Sequence, residues 1–280
     1  MTKPLFIWAG GKTKMIKHYL PFLKKATSYC EPFFGGGAIF VHMKKEFGIE
    51  GAYINDIHPE IMDIYRTIKS DVEGFLKILE DMERIYMPLD KEGRKGYYYH
   101  LRDQNAWDYQ DWDKTKQSAV LYFLMKTSFN GIYQLNKNTN GRYGTPSGLL
   151  NQKKEVFSRE VVKWWHKNLQ DVTITHGNWK ENLPEGDIFY FLDPPYRGGF
   201  TKYGTGFNDQ DLEDLLEFAK DKKSMVCNRD LGDGWFDSYF DDFHIHRFPV
   251  TYTAGRRKKT PDGYKAKPAT EVLLLPKGEK

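Results

Sequence analysis

The sequence has few cysteines and no long hydrophobic run. Its 280 residues contain two cysteines, Cys30 and Cys227, which lie far apart and match no metal-ligand spacing or disulfide framework. We therefore expect two buried thiols in a reducing compartment, and no metal site. Because no apolar stretch approaches membrane-spanning length and the N-terminus lacks the apolar core of a signal peptide, we expect a soluble, cytoplasmic protein.

The sequence also lacks internal repeats, low-complexity linkers and a large charge of either sign. An apolar fraction of 40% argues against global disorder, and the net charge is only +4. The positive residues concentrate in "GRRKKTPDGYKAK", at 255–267. Such a run is usually a solvated loop and less often a nucleic-acid contact. The aromatic content of 16% is compatible with either a core or base stacking.

Strand-like and helical sequence patterns occupy different parts of the chain and predict its organisation. Residues 27–56 contain short strand-like runs around a glycine loop and a helix-like segment, which is typical of a βαβ unit. Strand-like runs return after residue 172, and Asn208 is a predicted helix N-cap. The segment between them is mostly helical, with an Asn- and Gly-rich hairpin or exposed loop at 128–148. We predict an α/β sheet domain from residues 1–56 and 168–280, interrupted by an insertion at 57–167.

The glycine loop in "EPFFGGGAIF" follows a predicted strand and opens a helix. Gly35, Gly36 and Gly37 allow a ligand to approach the backbone closely. Asp56 ends the next strand, where nucleotide-binding βαβ units place the acid that holds ribose hydroxyls. Phe40 stands where the dinucleotide fingerprint has its third glycine, so the pattern indicates a ribose-bearing cofactor without indicating NAD. The alternative is a tight turn followed by a solvated aspartate.

The segment "WAGGKT", at 8–13, resembles a phosphate-binding P-loop only superficially. That motif needs a glycine five residues before Gly11, and Phe6 stands there. Trp8 and Lys12 remain beside a flexible Gly-Gly pair, which taken alone indicates a surface turn.

The strand-like run "IFYFLDPPY" ends in Asp193, Pro194, Pro195 and Tyr196. Two prolines stiffen the turn and remove two backbone donors, so the Asp193 carboxylate and the Pro194 carbonyl offer mainly acceptors. Tyr196 adds a face for stacking. Such a site suits a planar amine such as the exocyclic amino group of adenine or cytosine. Two hydrogen bonds would free the nitrogen lone pair, and the carboxylate would stabilise the positive charge that develops during methyl transfer.

Taken in order, these motifs resemble the Dam-type (D12 class, α-group) DNA adenine-N6 methyltransferases. The motifs that carry the resemblance are "PLFIWAGGK", "CEPFFGGGAIF", "INDIHPEI", "SFNGIYQLNKNTNGRYGTPSG", "DPPY", "MVCNRD" and "TEVLLL". The resemblance implies a Rossmann-like S-adenosylmethionine-dependent methyltransferase sheet. It also implies an inserted, mostly helical target-recognition domain that carries a β-hairpin.

The resemblance implies roles for individual residues around the cofactor. The implied contacts to S-adenosylmethionine come from Trp8, Lys12, Phe33, Phe34, Gly35, Gly36, Gly37, Asp56, Asn178, Trp179 and Asp193. Trp8 and Lys12 would contact its methionine end, and Asp56 would hold its ribose. Asn178 and Trp179 stand where the family often has Gly-Asp-Phe near the cofactor's adenine. Asp193, Pro194 and Tyr196 would hold a target adenine that has been flipped out of the duplex.

The resemblance also implies a set of DNA contacts. They come from Phe129, Asn130, Ile132, Tyr133, Gln134, Asn136, Arg142, Pro146, Arg256, Arg257, Lys258 and Lys259. Family members that act on GATC usually carry Arg where this chain has Gln134, and glutamine prefers adenine edges to guanine. We therefore expect a different or relaxed recognition site; alternatively, Arg142 reads guanine instead. The lysines and arginines at 256–259 would contact phosphates.

Several functions remain open at this point. The expected activity is methylation of adenine N6 in double-stranded DNA by a monomer. Methylation of cytosine N4 is the alternative within the same chemistry, and RNA is a further substrate class. A DNA-binding protein without turnover and a hydride-transfer enzyme are alternatives from other classes.

Overall fold

A computed structural model describes residues 3–8, 10–24, 26–148, 151, 154–181, 183–199, 206–252, 258–260, 263–265 and 267–278. The strands in these ranges are β1 Ser28–Glu31, β2 Ala52–Ile54, β3 Val172–Ile174, β4 Ile188–Leu192, β5 Ser224–Asp230, β6 Phe243–Tyr252, β7 Lys258–Thr260, β8 Gly263–Lys265 and β9 Lys267–Pro276. The α-helices are α1 Ile16–Tyr19, α2 Ala38–His42, α3 Pro59–Ser70, α4 Val72–Tyr86, α5 Lys91–Trp107, α6 Lys114–Thr127, α7 Arg159–Leu169 and α8 Asp209–Ala219. A π-helical turn, Met43–Phe47, extends α2.

Seven strands form one sheet in the order β3-β2-β1-β4-β5-β9-β6. Strands β1 to β5 are parallel, and β9 runs antiparallel between β5 and β6. The order reverses between β1 and β4, so a crevice opens beyond the carboxyl ends of these two strands. Ligands of open α/β sheets bind at such a switch point. The α/β prediction, the βαβ unit at 27–56 and the strands after residue 172 are confirmed.

Of two helix features that the sequence predicts, one is confirmed and one is wrong. Asn208 caps α8 in a reciprocal capping box with Asp211. The apolar spacing of the segment that forms α4 also predicts that Ile85 lies on the buried face, but this residue is 51% exposed and Tyr86 is buried in its place. The prediction for Ile85 was wrong because, at 3.6 residues per turn, position 86 returns to the stripe that Phe75 begins, whereas position 85 lies about 80° away.

Helices α3 and α7 pack on the same side of the sheet as α2. Trp165 of α7 stacks on Phe40 of α2, with ring centroids 5.4 Å apart, and also contacts Tyr65 of α3. The hydrophobic core is therefore continuous from the sheet into the helices of residues 57–167. The division of the chain at residues 56 and 168 stays a prediction.

The segment 128–148, called here the recognition loop, is less regular than the predicted hairpin. Two isolated antiparallel bridges, Ser128 to Ser147 and Leu135 to Tyr143, hold its two sides together. A 3-10 turn with a left-handed Asn130 (φ 56°) interrupts the ladder between the bridges, and a second 3-10 turn followed by a left-handed Asn140 (φ 53°) forms the tip beyond the inner bridge. The two sides of the recognition loop run antiparallel as in a hairpin, but they do not form a continuous pair of strands.

Both cysteines are buried free thiols, as the sequence predicted. None of the helices in the described ranges combines the length and apolar character that crossing a bilayer requires.

Candidate active site

Asp193 lies directly after β4, at the carboxyl edge of the sheet. Its two carboxylate oxygens accept hydrogen bonds from the Lys12 ammonium at 2.5 and 2.6 Å. Lys12 is only 2% exposed, and its Nζ also donates to the Gly10 carbonyl at 3.0 Å and to the Tyr196 hydroxyl at 2.7 Å. The sequence linked Lys12 to the cofactor's methionine end; the structure places its ammonium on the carboxylate of the "DPPY" motif.

The electrostatics of this pair follow from its burial. Burial raises the pKa of Asp193 to about 6, although the Lys12 ammonium beside it acts in the opposite direction. Burial alone would lower the pKa of Lys12, but the nearby carboxylates of Asp193 and Glu271 outweigh it and the pKa is raised. At neutral pH the site therefore holds a carboxylate against an ammonium, with the carboxylate within about one pH unit of titrating.

A second carboxylate stands behind Tyr196. The Tyr196 hydroxyl donates to Glu271 Oε1 at 2.7 Å, and Glu271 is 1% exposed within β9. We did not single out Glu271 from the sequence. Its signal was present, because an isolated acid in the apolar run "TEVLLL" of a buried strand needs a partner.

The turn that follows Tyr196 is fixed by polar contacts. The Arg197 amide donates to Asn228 Oδ1 at 2.8 Å, which ties the turn to β5. The Arg197 guanidinium pairs with Asp209 at 3.2 Å and with Asp233. It also lies over the ring of Trp235, 4.8 Å from the centroid. These contacts and the two prolines hold Asp193 and Tyr196 in a defined orientation.

The glycine loop turns beneath Trp8. Gly35 and Gly37 adopt positive φ of 49° and 66°, and a Cβ on Gly35 would lie 2.4 Å from the indole of Trp8. The Gly35 amide donates to Asp56 Oδ2 at 2.9 Å, and the His58 amide donates to Asp56 Oδ1 at 3.1 Å. Because a carboxylate has about four lone-pair directions, Asp56 retains acceptor capacity for ligand hydroxyls. Burial raises the pKa of Asp56, although His58 opposes this effect.

Aromatic side chains flank the glycine loop on both sides. The half-buried ring of Phe33 lies 6.2 Å from Trp179 and 5.9 Å from Phe207, on the side of the crevice. Phe34 instead points into the core, where it contacts Tyr65 at 4.9 Å, so its contribution is to support the loop. Asn178 is exposed, and its Oδ1 accepts from the Lys180 amide at 3.0 Å. A carboxylate, glycine amides and aromatic walls together fit a nucleoside.

The recognition loop presents only part of its predicted set to solvent. Phe129, Asn130, Gln134 and Pro146 are exposed, and Ile132 and Asn136 are partly exposed. Tyr133 is 5% exposed and lies against Trp8 and His58, so the structure does not bring this ring to the surface.

Arg142 is engaged inside the protein. Its guanidinium donates to Glu60 Oε1 at 2.6 Å and lies 3.4 Å from the centroid of the Tyr109 ring. These contacts hold the Arg142 side chain against Glu60 of α3 and against Tyr109. They indicate that Arg142 supports the recognition loop, and they do not favour the alternative in which Arg142 reads guanine.

The basic run lies only partly in the described ranges. Arg256 and Arg257 fall outside them, so the prediction for these two residues is not addressed by the structure. The backbone at Lys258 and Lys259 forms β7, which pairs with β8 as a separate two-stranded ribbon.

Comparison with known sequences decides between the chemistries that this geometry allows. A sequence model of the D12 class N6 adenine-specific DNA methyltransferases matches residues 8–253, which contain the whole arrangement around Asp193 except Glu271. The chain belongs to this family. The predicted resemblance is confirmed, and adenine N6 is favoured over cytosine N4, over hydride transfer and over DNA binding without turnover.

Individual relatives agree with the family. The chain is 30% identical over 263 residues to the type II methyltransferase M.MjaIII of Methanocaldococcus jannaschii, covering 88% of this chain and 90% of that protein. It is 27% identical to the type II methyltransferase M1.LlaDCHI of Lactococcus lactis subsp. cremoris, covering 92% and 91%. It is 26% identical to the retron Ec67 DNA adenine methylase of Escherichia coli, covering 96% and 89%. This DNA adenine methyltransferase therefore resembles its relatives over nearly their full length.

Proposed function

We propose that this adenine methyltransferase uses S-adenosylmethionine and acts on a base that has been flipped out of double-stranded DNA. The observation that carries the proposal is the partly buried Asp193 carboxylate, held by Lys12 beside the Tyr196 hydroxyl and the glycine loop. An adenine within a duplex cannot reach a carboxylate in such a crevice, so the base must leave the stack.

The chemistry follows from the acceptors that the turn presents. Asp193 and the Pro194 carbonyl accept hydrogen bonds from the adenine amino group and orient its lone pair. When bound, S-adenosylmethionine supplies a methyl group on a positively charged sulfur. Methyl transfer to the amino group would place positive charge on N6, and the Asp193 carboxylate would stabilise that charge. Asp193, with a pKa of about 6, then accepts the proton that N6 loses.

Lys12 prepares the carboxylate for the target amine. An ammonium and an amino group are both N–H donors, and Lys12 occupies only part of the acceptor capacity of Asp193. Its charge lowers the pKa of Asp193 and so favours the ionised carboxylate in this partly buried position. We assign Lys12 to orienting Asp193 as well as to the methionine end of the cofactor.

The cofactor's nucleoside fits the crevice between β1 and β4. We propose that Asp56 accepts from the ribose hydroxyls and that Phe33 and Trp179 flank the adenine. Gly35, Gly36 and Gly37 form the floor of this crevice, since side chains there would meet Trp8, Phe6 or Phe34.

The recognition loop carries the proposed DNA contacts. Phe129 and Asn130 are exposed at its first turn and are suited to enter the base stack. Gln134 is exposed two residues before Asn136, and it lacks the guanidinium fork that reads guanine. We therefore propose a recognition site other than strict GATC. Lysines and arginines of 256–259 would contact phosphates, and the protein would act as a monomer in the cytoplasm.

Expression in a bacterial host without endogenous methylation tests this function. N6-methyladenine is mapped over the host DNA by single-molecule sequencing, with Asp193→Ala as the matched control. Methylation at a motif other than GATC that the control abolishes is the expected result. Methylation confined to GATC would refute the proposed specificity. Methylation that persists in the control would refute the role of Asp193.

A further inference from the structure

We propose that Glu271 is a positioning residue of the methyl-transfer site, which through the Tyr196 hydroxyl holds Lys12 against Asp193. This inference rests on the proposed function and extends it to a residue on β9. Glu271 follows the segment that the family model matches, and the motif around Asp193 does not contain it.

The Glu271 side chain lies on the face of the sheet that leads to Asp193. Residues of a strand alternate between the two faces of a sheet, so Glu271 shares its face with Leu273, which pairs with Cys227 of β5. Phe191 of β4 belongs to the same cluster as Leu273 and Cys227, and Asp193 is two residues further along. The carboxylate therefore lies under the N-terminal segment that contributes Lys12.

The hydrogen bonds between Glu271, Tyr196 and Lys12 have a defined direction. A phenol has a single proton, and Tyr196 gives its proton to Glu271 Oε1 at 2.7 Å. Its oxygen is then an acceptor, and it accepts from Lys12 Nζ at 2.7 Å. The three donor hydrogens of Lys12 thus have three acceptors, namely Tyr196, Asp193 and the Gly10 carbonyl. Glu271 therefore fixes the direction of both hydrogen bonds of the Tyr196 hydroxyl, because without Glu271 this hydroxyl can donate its proton to another acceptor.

A carboxylate at this position of β9 needs compensation. Glu271 is 1% exposed in a strand whose next four residues are Val and Leu. Burying a carboxylate is unfavourable unless hydrogen bonds and opposite charge compensate. The hydroxyls of Tyr196 and Tyr19 donate to this carboxylate at 2.7 and 3.5 Å, and the shorter of the two bonds ties it to the turn that contains Asp193.

A double-mutant cycle on Tyr196 and Glu271 tests the inference. The purified full chain is compared as wild type, Tyr196→Phe, Glu271→Leu and the double variant. The kcat for N6 methylation of duplex DNA is measured, together with S-adenosylmethionine affinity by calorimetry. We expect each single variant to lower kcat by about 30-fold, and the double variant to be no worse than the more affected single one, because coupled residues are not additive. Cofactor affinity should fall by less than kcat in the three variants, since Glu271 acts on the contact of Lys12 with Asp193 and Lys12 itself remains available to the cofactor.

Two further variants separate positioning from stability. Glu271→Gln retains an acceptor for Tyr196, so we expect it to restore kcat to within about fivefold of wild type. It also keeps the test open if the leucine variant does not fold. Val272→Ala alters the neighbouring buried residue on the opposite face of β9 and should lower the free energy of unfolding without changing kcat.

Three outcomes would overturn the inference. They are additive losses in the cycle, a glutamine variant as poor as the leucine variant, and a Val272→Ala variant with the same loss of kcat. A wild-type protein that forms no N6-methyladenine would instead overturn the proposed function, and this inference with it. Active wild type with additive losses overturns the inference alone.

Discussion

The indole of Trp8 stacks on the ring of Tyr133, with centroids 5.8 Å apart and an angle of 27° between the planes. This contact joins the segment that crosses the glycine loop to the recognition loop. On one side Trp8 covers Gly35, and on the other Tyr133 lies beneath the exposed residues of the loop. The proposed cofactor site and the proposed DNA contacts are therefore packed on the same pair of rings.

We expect Trp8→Ala to weaken both cofactor and DNA binding. An aromatic pair contributes about 1 kcal/mol beyond its buried area, so its loss should weaken each by at least about fivefold. Calorimetry with S-adenosylmethionine and fluorescence anisotropy with duplex DNA measure the two effects. Trp107→Ala, which removes an exposed tryptophan of α5, is the matched control. Weakening of cofactor binding alone would show that the stack does not link the two sites.

The pH dependence of methylation should reflect Asp193. Its pKa is raised to about 6 in the protein without substrate, and the reaction needs the carboxylate form, so kcat/KM for DNA should fall as the pH decreases through about 6. Lys12 lowers the pKa of Asp193, and its replacement in Lys12→Met should therefore shift the acidic limb to higher pH. Rates measured from pH 5 to 9 with saturating cofactor give both profiles. An acidic limb that stays in place in Lys12→Met would exclude Asp193 as the group that titrates.

The sequence predicted the parts of the site that depend on local patterns. The glycine loop, Asp56 at the end of β2 and the acid-proline turn after β4 each carry a short-range signal, and all three lie at the switch point of the sheet. The contact between Lys12 and Asp193 joins residues 181 positions apart, and no local pattern specifies it. Glu271 carries a local signal as an isolated acid in an apolar strand, but no local pattern specifies its partner Tyr196, which lies after the end of another strand.

Burial distinguishes residues to which their position in the sequence alone would assign the same DNA-contacting role. Tyr133 and Gln134 are neighbours in a polar segment, yet one is packed on Trp8 and the other is exposed. The sequence left Arg142 open as an alternative reader of guanine, whereas its contacts with Glu60 and Tyr109 indicate a structural role. The alternation of buried and exposed positions in the recognition loop depends on its bridges and left-handed turns, which the composition does not reveal.

Arg142 should therefore contribute to stability rather than to sequence reading. The side chains of Arg142 and Glu60 are 16% and 18% exposed, so removing the cation leaves a mostly buried carboxylate with less compensation. We expect Arg142→Met to lower the free energy of unfolding by about 2 kcal/mol, the usual cost of losing a charged hydrogen bond of this kind. Urea unfolding measures the loss, and Arg84→Met, at an exposed ion pair on α4, should change stability by less than about 0.5 kcal/mol. A changed recognition motif in Arg142→Met at unchanged stability would contradict this assignment.

Gln134 should instead determine which sites are methylated. Its side chain is exposed on the recognition loop, and an arginine there would present two donors to the O6 and N7 atoms of guanine. We expect Gln134→Arg to shift methylation toward sites with a guanine beside the target, by about tenfold, because a bidentate arginine contact discriminates by about 1–3 kcal/mol. Mapping N6-methyladenine in the methylation-free host compares this variant with wild type. Leu135→Arg adds the same charge at the adjacent exposed position, so a general gain in DNA affinity would appear in both variants. A shift in the motif that is specific to Gln134→Arg would establish that residue 134 reads the base, whereas identical maps for the two variants would show that the added charge acts only on phosphates.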